Sequence, residues 1–229
     1  MIATLDLELA DGLERVLKSR KSIRAFRSDP VPAHLIDRAL EMARWTPSNC
    51  NTQPWQVHLV SGEAAENLRT ELLADLAAGK MAPEIPYLMD RYPPDFQGRQ
   101  IAHIMCQQTA LGIAREDTEA RAKLSRGNMG FWNAPHVAFL FVPAFGNERE
   151  AADVGAFGQS LMLACEALGF GSCPQTSLGM MASTIKRVLR VGDDVKLLYG
   201  LAMGFPDEGR AAARLEQERL PLDHFVTRH

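Results

Sequence analysis

Apolar residues recur along this chain at two spacings, one helical and one alternating or continuous, and the two together lay out its elements. In residues 7–18, LELADGLERVLK, Leu9, Leu13, Val16 and Leu17 fall on one helical face. The cations Lys18, Arg20 and Lys21 gather at the end of that helix, where its dipole is negative. A second helix is expected from Pro32, a good first-turn residue, to Trp45, with Leu35, Ile36, Ala39, Leu40 and Ala43 inward and Pro47 as its stop. WQVHLVSG, 55–62, is short and rich in strand formers, and Ser61 is placed as the N-cap of a helix reaching Leu76.

Residues 81–98, MAPEIPYLMDRYPPDFQG, carry four prolines among Tyr87, Tyr92 and Phe96 and read as an irregular surface excursion, a candidate lid over a substrate. Helix is expected again at Gln100 to Arg115 and Asp117 to Leu124. HVAFLFV, 136–142, is a nearly continuous apolar run, the mark of a strand buried on both faces. A long helix from Asp153 to Leu168 ends at Gly169, a shorter one spans Ala182 to Leu189, and Lys196 to Met203 returns to strand. Three strands are thus interleaved with many helices. From Pro206 onward the chain is a polar extension without a core of its own, and its apolar islands Leu220-Pro221-Leu222 and Phe225-Val226 call for a surface to cover them, such as a partner subunit.

Composition adds bounds. With 229 residues, 46% hydrophobic and 23% charged, the chain is expected to be one globular domain, 1–229, able to bury a substantial core. A net charge of -3 gives no general electrostatic reason to bind nucleic acid or anionic lipid. No apolar run approaches the roughly 20 residues of a membrane span, and the N-terminus is acidic where a secretory leader is basic, so a cytoplasmic location is expected. Cys50, Cys106, Cys165 and Cys173 form neither a CxxC pair nor a metal spacing and read as free thiols.

The common catalytic motifs are missing. Gly169-Phe170-Gly171 follows a helix, where a dinucleotide fingerprint follows a strand and opens a helix, and it lacks the third glycine. Gly158-Gln159-Ser160 is no nucleophile elbow, the histidines have no ligand spacing, and Gly192-Asp193-Asp194 reads as a turn. An enzyme without an evident nucleophile, base or metal is one whose chemistry resides in a bound cofactor.

Two polar clusters suit such a role. In Arg20-Lys21-Ser22-Ile23-Arg24, alternate residues of an extended segment share a face, so Arg20, Ser22 and Arg24 together form a phosphate grip while Ile23 turns to the core. Cations after a helix also merely complement its dipole, and spacing alone favours that plainer reading. In PSNCNTQPW, 47–55, Ser48, Asn49, Asn51 and Gln53 supply hydroxyl and amide groups suited to a heterocycle edge or a polyol chain, though Asx-type turns use the same residues.

Taken in order, RKSIRAF (20–26), the loop ending in QPW (53–55), GFGSCPQTSLG (169–179) and ERLPLDHF (218–225) resemble the flavin-dependent nitroreductase family, over most of the chain from Leu13 to Phe225. TEARAKLSRGNMGFWNAP, 118–135, is similar to a branch associated with nitrobenzoate or nitroarene reduction. The resemblance implies an α+β fold, an α/β/α sandwich with a central, mainly antiparallel sheet, in an intertwined homodimer whose C-terminal extension, about 206–229, packs on the partner. It implies FMN at the subunit interface. Arg20, Ser22 and Arg24 would hold the phosphate and ribityl end, with Arg24 reaching the pyrimidine edge and Arg219 a further phosphate ligand. Pro47, Ser48, Asn49 and Asn51, with Gln53 beside them, would cover the isoalloxazine from the other subunit. Pro174, Gln175, Thr176 and Ser177 would lie along the flavin face, and Asn128 would touch the pyrimidine edge. Cys50 stands where the family often has a small residue, and Lys21 where arginine is frequent.

The activity implied is ping-pong reduction of a small-molecule acceptor, nitroaromatic or quinone-like, by NAD(P)H, with hydride passing through flavin N5 and no catalytic side chain. Another branch of the fold, a reductive dehalogenase or enone reductase, or a flavin-binding protein without turnover, remains an alternative.

Overall fold

In a computed structural model, residues 7–114, 116–210 and 213–229 are described. Their main elements run α1 (Leu7–Ser19), α2 (Ala33–Ala43), β1 (Gln56–Ser61), α3 (Gly62–Ala77), α4 (Pro94–Ala110), α5 (Thr118–Met129), β2 (His136–Pro143), α6 (Glu148–Ala167), β3 (Gly171–Gln175), α7 (Ala182–Leu189) and β4 (Val195–Gly204). The strands form one sheet in the order β1-β2-β4-β3 with every neighbouring pair antiparallel.

The continuous apolar run of β2 is explained by its place inside that sheet. Val137, Phe139 and Phe141 belong to one buried cluster with Leu68, Leu72 and Ile185 of α3 and α7, while Ala138, Leu140 and Val142 belong to another with Ile36, Phe157 and Leu161 of α2 and α6. Helices therefore cover both faces, as the α/β/α sandwich requires. The register of β2 against β4 slips between Leu140 and Phe141, leaving Leu198 as the extra residue of a β-bulge. Because side chains alternate with period two, the slip reverses the faces of β4. Val195 and Leu197 point into the first cluster, whereas Tyr199, Leu201 and Met203 point into the second.

Several expectations are corrected. There are four strands rather than three among the described residues, because GSCPQ pairs with β4 as β3; its Pro174 is tolerated on an edge strand, where a missing N–H leaves no central ladder broken. The proline-rich excursion is shorter than expected. Pro94 opens α4 from its first turn, where a proline has no hydrogen bond to lose, and that helix ends at Ala110; the expected limit, Arg115, lies outside the described residues. The long helix α6 starts at Glu148 rather than Asp153, set by a capping box in which Asn147 and Glu150 serve each other's backbone N–H groups. Ser61 precedes α3 but makes no cap bond; its Oγ lies 2.6 Å from His136 Nδ1.

The extension is also not coreless at its start. Phe26 bridges Pro206, and Ala213 and Leu215 are buried, Ala213 beside Ala25 and Leu111. Residues 211 and 212 lie outside the described residues. Beyond them Leu222 and Phe225 are exposed, and α1 buries none of its residues, leaving Leu13 and Leu17 open.

Candidate functional site

The 20–26 segment runs beside the free edge of β3. Ser22 makes an isolated parallel bridge to Ser172, and the Ile23 N–H donates to the Ser172 oxygen at 3.0 Å. Ile23 is fully buried, as its alternation suggested, and its side chain fits over Gly171, where a Cβ would stand 2.5 Å from Ile23 Cγ1. Anchored there, the segment sends Arg20 into half-buried surroundings. Burial, then the nearby positive charge of Arg219, pushes the Arg20 pKa down. Two cations held together in this way form a site for an anion.

Arg24 is held on two sides. Its Nη1 donates to the Ser22 oxygen at 3.2 Å. With the Gln107 amide turned to satisfy its neighbours, the amide oxygen accepts from Arg24 Nε and Nη2, both at 3.1 Å. Gln107 thus ties α4 to the arginine segment, and His103, one turn earlier, ties it to the extension through Gln217, 3.1 Å away.

At the end of β3, Gln175 Nε2 donates to the Asn128 backbone oxygen at 2.5 Å and to its Oδ1 at 2.8 Å, and Asn128 Nδ2 donates to Ser177 Oγ at 2.5 Å. The C-terminal turn of α5 is thereby fastened to Pro174, Gln175, Thr176 and Ser177. Among the described residues, four side-chain atoms are buried without a hydrogen-bond partner: Arg20 Nη1, Trp132 Nε1, Ser172 Oγ and Gln175 Oε1. Leaving such an atom unsatisfied costs roughly 1–3 kcal/mol, so each is a group that a polar ligand could satisfy. Cys173 is buried between them, and desolvation pushes its thiol up to about 11 against the pull of Arg24 and Arg20.

The loop of 47–53 stands elsewhere. Cys50, Asn51 and Gln53 have φ of 49°, 57° and 48°, in the left-handed region, at a cost of about 1–2 kcal/mol each. One local and one long-range bond hold this conformation: Gln53 N–H donates to Ser48 Oγ at 2.9 Å, and Asn49 N–H to Asp153 Oδ2 of α6 at 3.0 Å. The loop leads into β1, one edge of the sheet, while the arginine segment lies along β3, the other. The chain therefore brings Arg20, Ser22, Arg24, Asn128, Pro174, Gln175, Thr176, Ser177 and Arg219 to the β3 side of the sheet. It leaves Pro47, Ser48, Asn49, Asn51 and Gln53 apart.

Two hollows adjoin the first group. One, of about 600 Å³, is lined by Arg24, Ala25, Leu111, Leu124, Gly127 and Trp132. Trp132 sits in a left-handed turn, Phe131 to Asn133, with its indole against Gly127, where a Cβ would be 2.8 Å from Trp132 Cζ3. The other, of about 250 Å³, lies between Tyr87, Tyr92, Thr176 and Met180. Its aromatic side is carried on a stem held by Glu84, whose carboxylate takes Lys186 Nζ at 2.6 Å and the Leu197 N–H at 2.9 Å. Sequence reasoning missed Ser172 and Gln107. Ser172 stood inside a quoted motif two residues before Pro174, and a strand reading of that motif would have placed it on the same face; nothing local marked Gln107.

A two-faced antiparallel sheet with paired arginines along its edge strand defines an α+β protein in which no cluster of metal ligands occurs among the described residues. The Nitroreductase family model matches residues 17–205, and the chain belongs to the nitroreductase family. It is 38% identical over 205 residues to the nitroreductase NfnB of Mycolicibacterium smegmatis, covering 90% of this chain and 87% of that one. It is 30% identical over 218 residues to a 4-nitrobenzoate reductase of Pseudomonas putida, covering 95% and 96%. The crystal structure of the FMN-dependent nitroreductase NfnB from Mycobacterium smegmatis in complex with NADPH superimposes with a TM-score of 0.93 at 36% identity, covering 96% of this chain and 99% of that one.

Proposed function

We propose that this protein is an FMN-dependent oxidoreductase that uses NADH or NADPH to reduce nitroaromatic or quinone-like acceptors. The observation that carries the proposal is the set of buried, unpartnered polar atoms on Arg20, Ser172 and Gln175, in a chain whose relatives include FMN-dependent nitroreductases. These residues fit the cofactor. The guanidinium of Arg20, paired with Arg219, suits phosphate oxygens, and Ser22 and Ser172 suit a polyol chain. Bound there, FMN supplies the acceptance and return of a hydride, so the protein's part is to bind, orient and exclude water.

Within that part, Arg24 is aimed by Gln107 and Ser22 toward the ring end of the site. Pro174, Gln175, Thr176 and Ser177, held by Asn128, would form a wall for the ring of the bound cofactor, and main-chain N–H groups of this segment would be the donors available to it. Tyr87 and Tyr92 beside Thr176 form the lid that keeps the acceptor slot dry. A dry slot that holds donor and acceptor together supplies much of the rate through proximity and orientation.

A homodimer completes the site. The loop of Pro47, Ser48, Asn49, Asn51 and Gln53 lies at the opposite sheet edge, and a second copy brings its own loop over the first copy's arginine segment. The exposed Leu13 and Leu17 of α1 and Leu222 and Phe225 of the extension are the apolar surface such a pairing covers. Four free thiols suit a cytoplasmic location. Titration of the apoprotein with FMN, followed by flavin fluorescence, tests the proposal: saturable quenching is expected, and no quenching would end it.

A further inference from the structure

Lys186 of α7 is 7% exposed, and its ammonium spends its three hydrogens on Glu84 Oε1 at 2.6 Å, Asp193 Oδ1 at 3.3 Å and the Val195 oxygen at 3.0 Å. The Asp193 carboxylate stands fully in solvent, where water screens it, so the ion that balances the buried charge is Glu84, 102 residues earlier in the chain. The second Glu84 oxygen accepts the Leu197 N–H at 2.9 Å. Strand β3 pairs with β4 only from Gly200 to Gly204, so this carboxylate serves a backbone group on the part of β4 that β3 has left.

The residues so joined also line the smaller hollow, where Met180 and Leu197 stand with Thr176 against Ile85, Tyr87 and Tyr92. The Ala82 N–H donates to the Met180 oxygen at 2.9 Å, and Glu84 holds Leu197. Both ties join a lining residue to the chain just before the tyrosines. Glu84 is the later of the two, directly before Ile85, and Pro86 then restricts the backbone. The spacing between the tyrosines and Thr176 is therefore set where Glu84 is clasped.

We propose that Glu84, clasped by Lys186, is a positioning residue for the electron acceptor: it holds Tyr87 and Tyr92 at the distance from Thr176 that a flat ring needs. This rests on the reading of that hollow as the acceptor slot. The clasp sets affinity for the acceptor and leaves affinity for the flavin alone, because neither Glu84 nor Lys186 belongs to the arginine segment or to the wall that follows β3.

Hydrogen–deuterium exchange, read by mass spectrometry with and without FMN, tests the clasp itself. Glu84→Gln should speed exchange in residues 82–92 by roughly tenfold, the worth of one hydrogen bond to a charged group, and leave α6 unchanged. Stopped-flow reoxidation of the bleached, FMN-loaded protein by nitrobenzene tests the consequence. The dissociation constant for the acceptor should rise roughly tenfold, as the fraction of protein with a formed slot falls by that factor, with the limiting rate less affected and FMN affinity unchanged. Glu84→Asp, which keeps the charge on a shorter stem, should fall between wild type and Glu84→Gln in both measurements, and it carries the test alone where Glu84→Gln does not fold. A lower unfolding midpoint with an unchanged acceptor constant overturns the inference and leaves the FMN reading intact, as does unchanged exchange in 82–92. Flavin that neither NADH nor NADPH bleaches overturns both readings.

Discussion

The Tyr199 ring of β4 lies directly against the backbone of α6 at Gly158: a Cβ there would stand 2.9 Å from Tyr199 Cζ and nearer still to the hydroxyl oxygen. The phenol is buried deeply enough that desolvation pushes its pKa up to about 12. Helix and sheet meet at this point only because one residue has no side chain.

Gly158→Ala is therefore expected to destabilise the protein, although alanine is the better helix former. Overpacking costs typically 1–3 kcal/mol against a propensity gain of about 1 kcal/mol, and with the hydroxyl so close the upper end applies, for a net loss of up to roughly 2 kcal/mol. Thermal unfolding reads this as a lower midpoint. Adding Tyr199→Phe, which removes the oxygen nearest the new methyl, should recover part of the loss, and no recovery would mean that the contact is relieved elsewhere.

Arg20 and Arg219 give a prediction of opposite sign for stability and binding. Arg20 Nη1 has no partner in the protein, and burial and Arg219 both disfavour its charge. Arg20→Met should leave the apoprotein as stable or more so, yet weaken FMN binding by roughly 10- to 100-fold, the range of a hydrogen bond to a charged group. Inorganic phosphate should raise the unfolding midpoint of the wild-type apoprotein above that in chloride of equal ionic strength, and should not do so in Arg20→Met. An equal response in both proteins would place the anion elsewhere.

His136 makes stability depend on pH. The Val31 N–H donates to its Nε2 at 2.9 Å, so Nε2 is unprotonated and Nδ1 carries the hydrogen toward Ser61 Oγ. Burial pushes its pKa below the ordinary 6.5. The unfolded chain then takes up a proton near 6.5 while the folded protein does not, so this contribution is complete above that pH and falls away as pH drops toward the lower folded value. Denaturant melts from pH 8 to 5 should show the loss beginning near 6.5, and His136→Gln should flatten that part of the profile.

How far the sequence carries depends on the range of the interaction. HVAFLFV announced a strand covered on both faces, and helices α2 and α7 follow from their own periodicity and stops. GSCPQ did not read as a strand, because a five-residue edge strand containing glycine and proline has no local signature and exists by pairing with β4. The N-x-x-E capping box at Asn147 and Glu150 was readable and overlooked. Alternation alone turned Ile23 inward, as it is, while spacing alone favoured the plainer dipole role for Arg20 and Arg24. The unpartnered atoms were not readable, since whether Gln175 Oε1 finds a donor is settled by Asn128, 47 residues away. Nor does local sequence reveal that the PSNCNTQPW loop and the RKSIR segment lie at opposite sheet edges.

That separation makes a composite site testable by mixing subunits. A protein altered in the arginine segment, Arg20→Glu, and one altered in the loop, with Ser48, Asn49 and Asn51 changed to alanine, should each be nearly inactive. Dissociated and reassociated together at equal amounts, they should regain roughly a quarter of wild-type turnover, because half of the dimers carry one wholly wild-type site of two. Continued inactivity in verified mixed dimers would mean that segment and loop do not share a site.

The central claim is most directly tested by stopped-flow spectroscopy of FMN-loaded protein without oxygen. NADH or NADPH should bleach the visible flavin bands, and a nitroarene added to the bleached protein should restore them, each phase at a rate that accounts for steady turnover. Flavin that binds but is bleached by neither nucleotide, or bleached flavin that a panel of nitroarenes and quinones cannot reoxidise, would contradict the account.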